Sequence, residues 1–190
     1  MKPKDEEKLK AIAKATFALV EETGLSGLTM PSIARRAGVA TGTLYVYFAS
    51  KEELLTALYE QAKTDIAVRI FQGDAPDTPF RQRFQGMWRK WLEHRLEHGA
   101  EVIFLEQYAN SPWFSEASRM LSARLISAWI ELIESAKSQQ ILKNLPTPLV
   151  ISAFGGSVRE TANLLKSGSL AHTDEHLALA FGVCWDGIKA

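Results

Sequence analysis

Cysteine occurs once in the 190 residues, at Cys184, so no intrachain disulfide is available. That suits a reducing cytosol and sets aside the small disulfide-stapled scaffolds of secreted proteins. Long apolar runs are also missing. The longest, Leu177 to Trp185, falls far short of the roughly 20 residues that a membrane span needs. The segment Lys2-Pro3-Lys4-Asp5-Glu6-Glu7-Lys8 is polar throughout and contains no apolar export signal. A soluble, cytoplasmic protein without membrane contact is expected.

A surplus of charge of either sign is absent as well: 22 Lys and Arg balance 22 Asp and Glu. Nucleic-acid binders are often basic, so overall composition gives no support to one here. Residues 1–63 hold nine Lys/Arg against eight Asp/Glu. The acids cluster at 5–7, 21–22 and 52–53, which leaves Lys2, Lys4, Arg35, Arg36 and Lys51 able to face one side.

Catalytic signatures are lacking too. No Gly-x-Ser-x-Gly elbow, phosphate-binding loop or dinucleotide fingerprint places Ser, His or Asp for chemistry. His94 and His98, like His172 and His176, stand four apart and could each present two imidazoles on one helix face. Two ligands do not make a metal site, and neither pair has the His-Glu-x-x-His order. Glu93, Glu97 and Glu101 read as a solvated face. No catalytic residue, metal site or cofactor is expected, and an enzyme is the poorer account.

What the chain does contain is a compact signal between Leu28 and Leu54. Thr29 can cap a helix by accepting a backbone N–H bond, and Pro31 sits in its first turn, where a missing N–H costs nothing. Ile33, Ala34 and Ala37 share one face. Gly38 ends the helix where positive φ is cheap, Val39 plugs the angle, and a second helix starts near Thr41. Its apolar side is Leu44 and Phe48; its outward side is Thr41, Gly42, Thr43, Tyr45 and Tyr47. Two short helices around a glycine turn form a hairpin whose second helix can enter a major groove.

From about Ala11 to Leu55 the chain closely resembles the N-terminal domain of the tetracycline-repressor (TetR) family. The match is in order and spacing: Ala15 and Phe17, Gly24, Thr29, Ile33-Ala34, Ala37-Gly38-Val39, Gly42-Thr43-Leu44-Tyr45, Tyr47-Phe48 and Lys51-Glu52-Glu53-Leu54. The resemblance implies an all-α homodimer whose second hairpin helix reads a double-stranded DNA operator, released when a small molecule binds the C-terminal body. It departs from many relatives in having no Lys or Arg from 40 to 49 and Tyr47 where His is common. A guanine clamp by a bidentate Arg is therefore absent from the reading helix. Readout is expected to use Thr41, Thr43, the close approach at Gly42, and phosphate contacts from Tyr45, Tyr47 and Lys51, with Thr29 and Arg36 alongside and DNA shape contributing.

The remainder reads as helices only. Ser50 to Glu53 forms a capping box that starts a helix reaching about Phe71, broken by Gly73 to Asp77. Further helices run from Thr78-Pro79 to about Glu97, through Val102 to Tyr108, from Ser111-Pro112 to about Gln140, from Thr147-Pro148 to Ser167-Gly168, and from Thr173 to about Lys189. The expected fold is all-α, with a three-helix head over 1–48 and a helical-bundle body over 49–190 that dimerises. The final helix is apolar around nearly its whole circumference, more than one packed face needs, so a second partner is implied. Gly155-Gly156 costs roughly 1 kcal/mol per glycine in helix propensity, which close approach by a neighbouring helix would offset.

All tryptophans lie at or beyond residue 88. Trp88, Trp91 and Arg95, with Phe104 and Tyr108, could line an effector cavity whose polar contacts come from Gln107, Arg124 or Asn163, although aromatic residues at helical spacing also serve as ordinary core. The expected function is a ligand-responsive regulator, most readily a repressor, binding a palindromic operator as a dimer and released by a small apolar or amphipathic effector. The alternative is a helical ligand-binding or protein-interaction module without operator-specific binding.

Overall fold

The computed structural model describes residues 3–190, with side chains from residue 5 onward, so Lys2 and the side chain of Lys4 lie outside the described residues. Among those residues the regular structure is helical: α1 (Pro3–Thr23), a 3-10 helix (Leu25–Gly27), α2 (Met30–Ala37), α3 (Thr41–Tyr47), α4 (Lys51–Phe71), α5 (Phe80–Glu97), α6 (Gly99–Ala109), α7 (Glu116–Ser138), α8 (Thr147–Lys166) and α9 (Asp174–Ile188). The sole β feature described is an isolated antiparallel bridge between Leu142 and Lys189.

The chain divides into two compact units. The first holds residues 1–64 and 98–122; the second holds 65–97 and 123–190. This division differs from a cut after residue 48, because α6 and the first turns of α7 pack with the N-terminal helices. Their apolar contents explain it: Phe104 of α6 is fully buried and its ring lies 5.0 Å from that of Phe17 on α1. Helical spacing across a loop cannot reveal such a partner.

In the first unit α1 buries Ile12, Ala15, Thr16 and Val20, one turn apart along one face. Thr16 is polar, but its hydroxyl donates to the Ile12 carbonyl at 2.8 Å, so burial leaves no unmet donor. Leu25, Leu28, Ile33, Ala34, Leu44, Leu54, Leu55 and Leu58 complete the core. Tyr59 and Tyr108 stack obliquely at 4.9 Å, with Tyr59 sharing a hydrogen bond with Ser122 and Tyr108 sharing one with Thr56.

Aromatic residues build the second unit. Phe84 of α5 lies 4.3 Å from Phe154 of α8 and within reach of Trp185 of α9, and Trp88 packs edge-on to Phe181. Trp129 of α7 meets Phe71, Trp91 and Phe154. Trp88 also donates its indole N–H to the Ser157 hydroxyl at 2.9 Å. At the turn before α5, Asp74 accepts two 2.7 Å bonds from Arg83 in a pair largely withdrawn from water. That guanidinium holds the Asp74 carboxyl below its usual range, and burial opposes the effect without reversing it.

Local signals place most helix ends. Thr173 caps α9 by accepting the His176 amide, and Gly168 after α8 adopts φ 73°. Ser50 accepts from the Glu53 amide, while Glu53 returns its carboxylate to the amide of Ala49 and not of Ser50. One start differs from the sequence reading. Ser111-Pro112 does not open α7; the Ser111 hydroxyl accepts the Trp113 amide within a turn, and α7 begins at Glu116 after Ser115 accepts the Ser118 amide. A Ser-Pro pair and a Ser-Glu-Ala-Ser pair both look like caps, and the second one won.

Candidate nucleic-acid interface

The hairpin is built almost wholly by local chemistry. Thr29 and Ser32 cap α2 reciprocally: each hydroxyl accepts the other residue's backbone amide, at 3.2 and 3.1 Å. At the far end Gly38 sits at φ 69°, with its N–H donating to Arg35 and the Val39 N–H donating to Ala34. That pairing is a Schellman closure, which satisfies the last carbonyls of α2 and turns the chain sharply into α3. Ile33, Ala34 and Leu44 are buried beneath the turn, so the angle between α2 and α3 is fixed by packing as well.

Beyond that turn α3 shows three kinds of surface. Leu44 points into the core, Thr41 and Thr43 are half-buried, and Gly42, Tyr45 and Val46 are exposed. A side chain added at Gly42 would meet nothing within 4 Å, so a flat backbone is offered there. Val46, 83% exposed, is the residue that sequence reading missed. An apolar type gives no signal for an outward position, yet the turn phase set by Leu44 turns Val46 outward. An exposed branched methyl pair suits contact with a thymine methyl.

Other expected contact residues are tied into the protein. The Tyr47 hydroxyl donates to Asp5 of α1 at 2.8 Å; that bond foremost, then burial and the nearby charge, raises its pKa. Arg36 is clasped by both carboxylate oxygens of Glu22 on the surface, a bond that lowers the Glu22 pKa and raises that of Arg36. The Lys51 ammonium donates to the carbonyls of Leu25 and Leu28 and sits 4.4 Å from the Trp113 ring centroid. Thr29, exposed, spends its hydroxyl on the cap. Arg35, also exposed and outside the expected set, has no ion pair among the described residues. Sequence could not rank Arg35 over Arg36, since the discriminating Glu22 lies on another helix.

The six residues expected around an effector are divided between the two units. Trp88 and Trp91 belong to the second unit, whereas Phe104 and Tyr108 are fully buried in the first, where the Tyr108 hydroxyl is engaged with Thr56 and Ser118. Arg124 and Asn163 are exposed, and Asn163 donates to Glu160. Gly155 does not admit a helix backbone. A Cβ there would come within 3.1 Å of the Trp91 ring, while Gly156 faces open space. Trp91 and Trp129, with centroids 6.1 Å apart, are partly buried, as are Phe71 and Phe80 of the same aromatic cluster.

Along α9 the packed face is Leu177, Phe181, Cys184, Trp185 and Ile188, and burial pushes the Cys184 thiol pKa up. Leu179 and Val183 on the other side are 61% and 78% exposed. On α8, Leu149, Ala153 and Leu164 are exposed likewise. No helix of the described residues is long and apolar enough to cross a membrane.

Comparison with known proteins follows the same division of labour. Residues 12–58 match the family described as bacterial regulatory proteins, tetR family, and residues 79–189 match the tetracyclin repressor-like C-terminal domain. An HTH-type transcriptional regulator of Haemophilus influenzae is 30% identical over 105 residues, which are 55% of this chain and 56% of that protein. Thus the chain's match spans little more than half the length of that relative. The HTH-type transcriptional regulator BetI of Stenotrophomonas maltophilia is 34% identical over 161 residues, 84% of this chain and 80% of that one. The crystal structure of a TetR family transcription regulator from Marinobacter aquaeolei superposes with a TM-score of 0.90 at 25% identity, covering 100% of this chain and 99% of the other. With a capped, glycine-turned hairpin at one end and both family regions matched in order, the chain belongs to the TetR family and is a helix-turn-helix, DNA-binding transcriptional regulator.

Proposed function

We propose that this regulator is a homodimeric, ligand-responsive repressor that acts in the cytoplasm, binds a palindromic operator, and is released by a small apolar or amphipathic effector. The observation that carries the operator reading is the outward face of α3, where Thr41, Gly42, Thr43, Tyr45 and Val46 are accessible and uncharged. Hydroxyls at 41 and 43 suit base edges, Val46 suits thymine methyls, and Arg35 supplies a nearby charge for phosphate. Thr29, Arg36, Tyr47 and Lys51 then act mainly by holding the hairpin.

Dimerisation is supported by Leu179 and Val183 on α9 and by Leu149, Ala153 and the open Gly156 on α8, an apolar face that the chain itself leaves uncovered. Two-fold symmetry then demands an inverted repeat with half-sites about 34–36 Å apart or somewhat more. The effector reading rests on the aromatic-rich second unit, with Trp91 and Trp129 among its partly buried rings, and on α4, which runs unbroken from Lys51 to Phe71. Release requires that the effector prefer the form that misfits DNA; a coupling of about 1–3 kcal/mol corresponds to roughly 5- to 150-fold in operator affinity.

Selection of bound sequences from a random duplex pool tests the operator reading. An inverted repeat is the expected product. Enrichment of no sequence would remove operator-specific binding and leave a helical ligand-binding or interaction module.

A further inference from the structure

The five residues Gly24 to Leu28 connect α1 to the Thr29 cap of α2. Side chains from three later parts of the chain, all within the first compact unit, hold that path. From α6, Gln107 Oε1 accepts the Leu25 N–H at 3.1 Å. From the start of α4, the Lys51 ammonium donates to the Leu25 carbonyl at 3.2 Å and the Leu28 carbonyl at 2.9 Å. From the turn before α7, the Trp113 ring lies beneath that ammonium. Gly24, at φ 72°, makes the bend that brings the Leu25 amide to Gln107.

Folding alone does not call for this arrangement. The turn borders an open groove of about 460 Å³ lined in part by Ser26, Gln107, Ser111 and Trp113, so water could satisfy the same amide and carbonyls. Instead three side chains converge on one short turn, and Leu25 and Leu28 are buried on its inner side. Because the Schellman closure at Gly38 joins α3 tightly to α2, the placing of this turn bears on the placing of the reading helix. A cation engaged by two carbonyls and a ring face is also poorly placed to serve as a phosphate contact.

We propose that Gln107, Lys51 and Trp113 form a clamp on the Leu25–Leu28 turn, positioning the α2–α3 hairpin and so setting operator specificity from outside the reading face. The proposal rests on the reading that α3 contacts bases. Its residues are positioning residues, and none of them touches DNA in this account.

The test titrates the full-length wild type, Gln107→Leu, Gln107→Glu and Lys51→Met against the duplex selected from the random pool and against a random duplex, at several salt concentrations. A clamp predicts that Gln107→Leu and Lys51→Met each weaken the selected duplex about 3- to 10-fold, the scale of one or two lost hydrogen bonds. Random-duplex binding and the salt slope stay as in wild type, and Gln107→Glu, which keeps an acceptor for the Leu25 N–H, retains affinity. Lys51→Met weakening both duplexes equally and flattening the slope by about one unit would make Lys51 a phosphate contact and overturn the clamp. So would unchanged affinity in Gln107→Leu, or equal loss on both duplexes, which marks mere loss of folded protein. A wild type that enriches no sequence overturns the base-reading premise itself, a failure distinct from that of the clamp alone.

Discussion

Two of the helices that leave apolar side chains in water, α3 and α9, do so in opposite company. On α3 the exposed Val46 is surrounded by hydroxyls and a bare glycine: Thr41, Gly42, Thr43 and Tyr45. On α9 the exposed Leu179 and Val183 are flanked by Ala178 and Gly182, with no hydrogen-bonding side chain between them. A surface that mixes one methyl pair with donors and acceptors matches the edge of a base pair, which offers both. A uniformly apolar stripe of small and branched residues matches another stripe of its own kind. Exposure by itself distinguishes nothing here; the neighbours of the exposed residue are what support the different partners proposed for the two surfaces.

The strongest way to break this contrast is to put a charge on each surface. Val183→Asp leaves the isolated chain unstrained because the site is open, but a two-fold interface would bury one carboxylate from each copy at a cost of about 3–5 kcal/mol or more. Sedimentation at micromolar concentration is expected to show a dimer for wild type and a monomer for Val183→Asp, whereas Val46→Asp keeps the wild-type mass. A Val183→Asp dimer would end the assignment of α9 as the interface.

Acid separates the two regions next. The Asp74 carboxyl is depressed by its bonds to Arg83, so its stabilisation is complete above the unfolded value of about 3.9 and is lost as pH falls through the lower folded value. Asp74→Asn is expected to lower stability by about 1.5–3 kcal/mol at pH 7 and to match wild type once the pH is below that window, as measured by denaturant unfolding. Residues 41–47 contain no acid, base or histidine, so this variant should retain operator affinity at pH 7 while folded.

On the reading side, Thr43→Ala is expected to cost about 1–3 kcal/mol on the selected duplex and little on a random one, by anisotropy titration. Equal losses on both would place Thr43 outside direct readout. The smallest effect is the most diagnostic in sign. In a lone chain Gly156→Ala adds about 1 kcal/mol of helix propensity, since no atom lies within 4 Å of the new Cβ. Packing of a second copy against Gly156 predicts the reverse, a less stable dimer in concentration-dependent unfolding.

Much of this was legible in the sequence wherever the cause is local. Thr29, Pro31, Gly38 and Thr41 mark the hairpin's ends because a cap, a proline ring and a positive φ act within a few residues, and the structure places α2 and α3 there. The α5, α8 and α9 limits follow for the same reason. What escaped was non-local. Tyr47 meets Asp5 across 42 residues and Lys51 meets Leu25 across 26, and no periodicity reveals that a contact candidate also bonds to a distant part of the chain. The aromatic set is divided between the units for a similar reason: Trp88 and Tyr108 each sit on an apolar helix face, but spacing says only that a face is buried, not against which neighbour.

A regulator must find one site among a genome of wrong ones, and the uncharged α3 bears on that search. Sequence-independent attraction to DNA is paid in displaced counterions, roughly one per phosphate neutralised. With no fixed positive charge on residues 41–47, and with Arg36 paired with Glu22, Arg35 is the hairpin charge left to displace counterions on a random stretch. On the operator reading proposed above, a weak sequence-independent hold leaves a larger share of copies off bulk DNA and available to the operator.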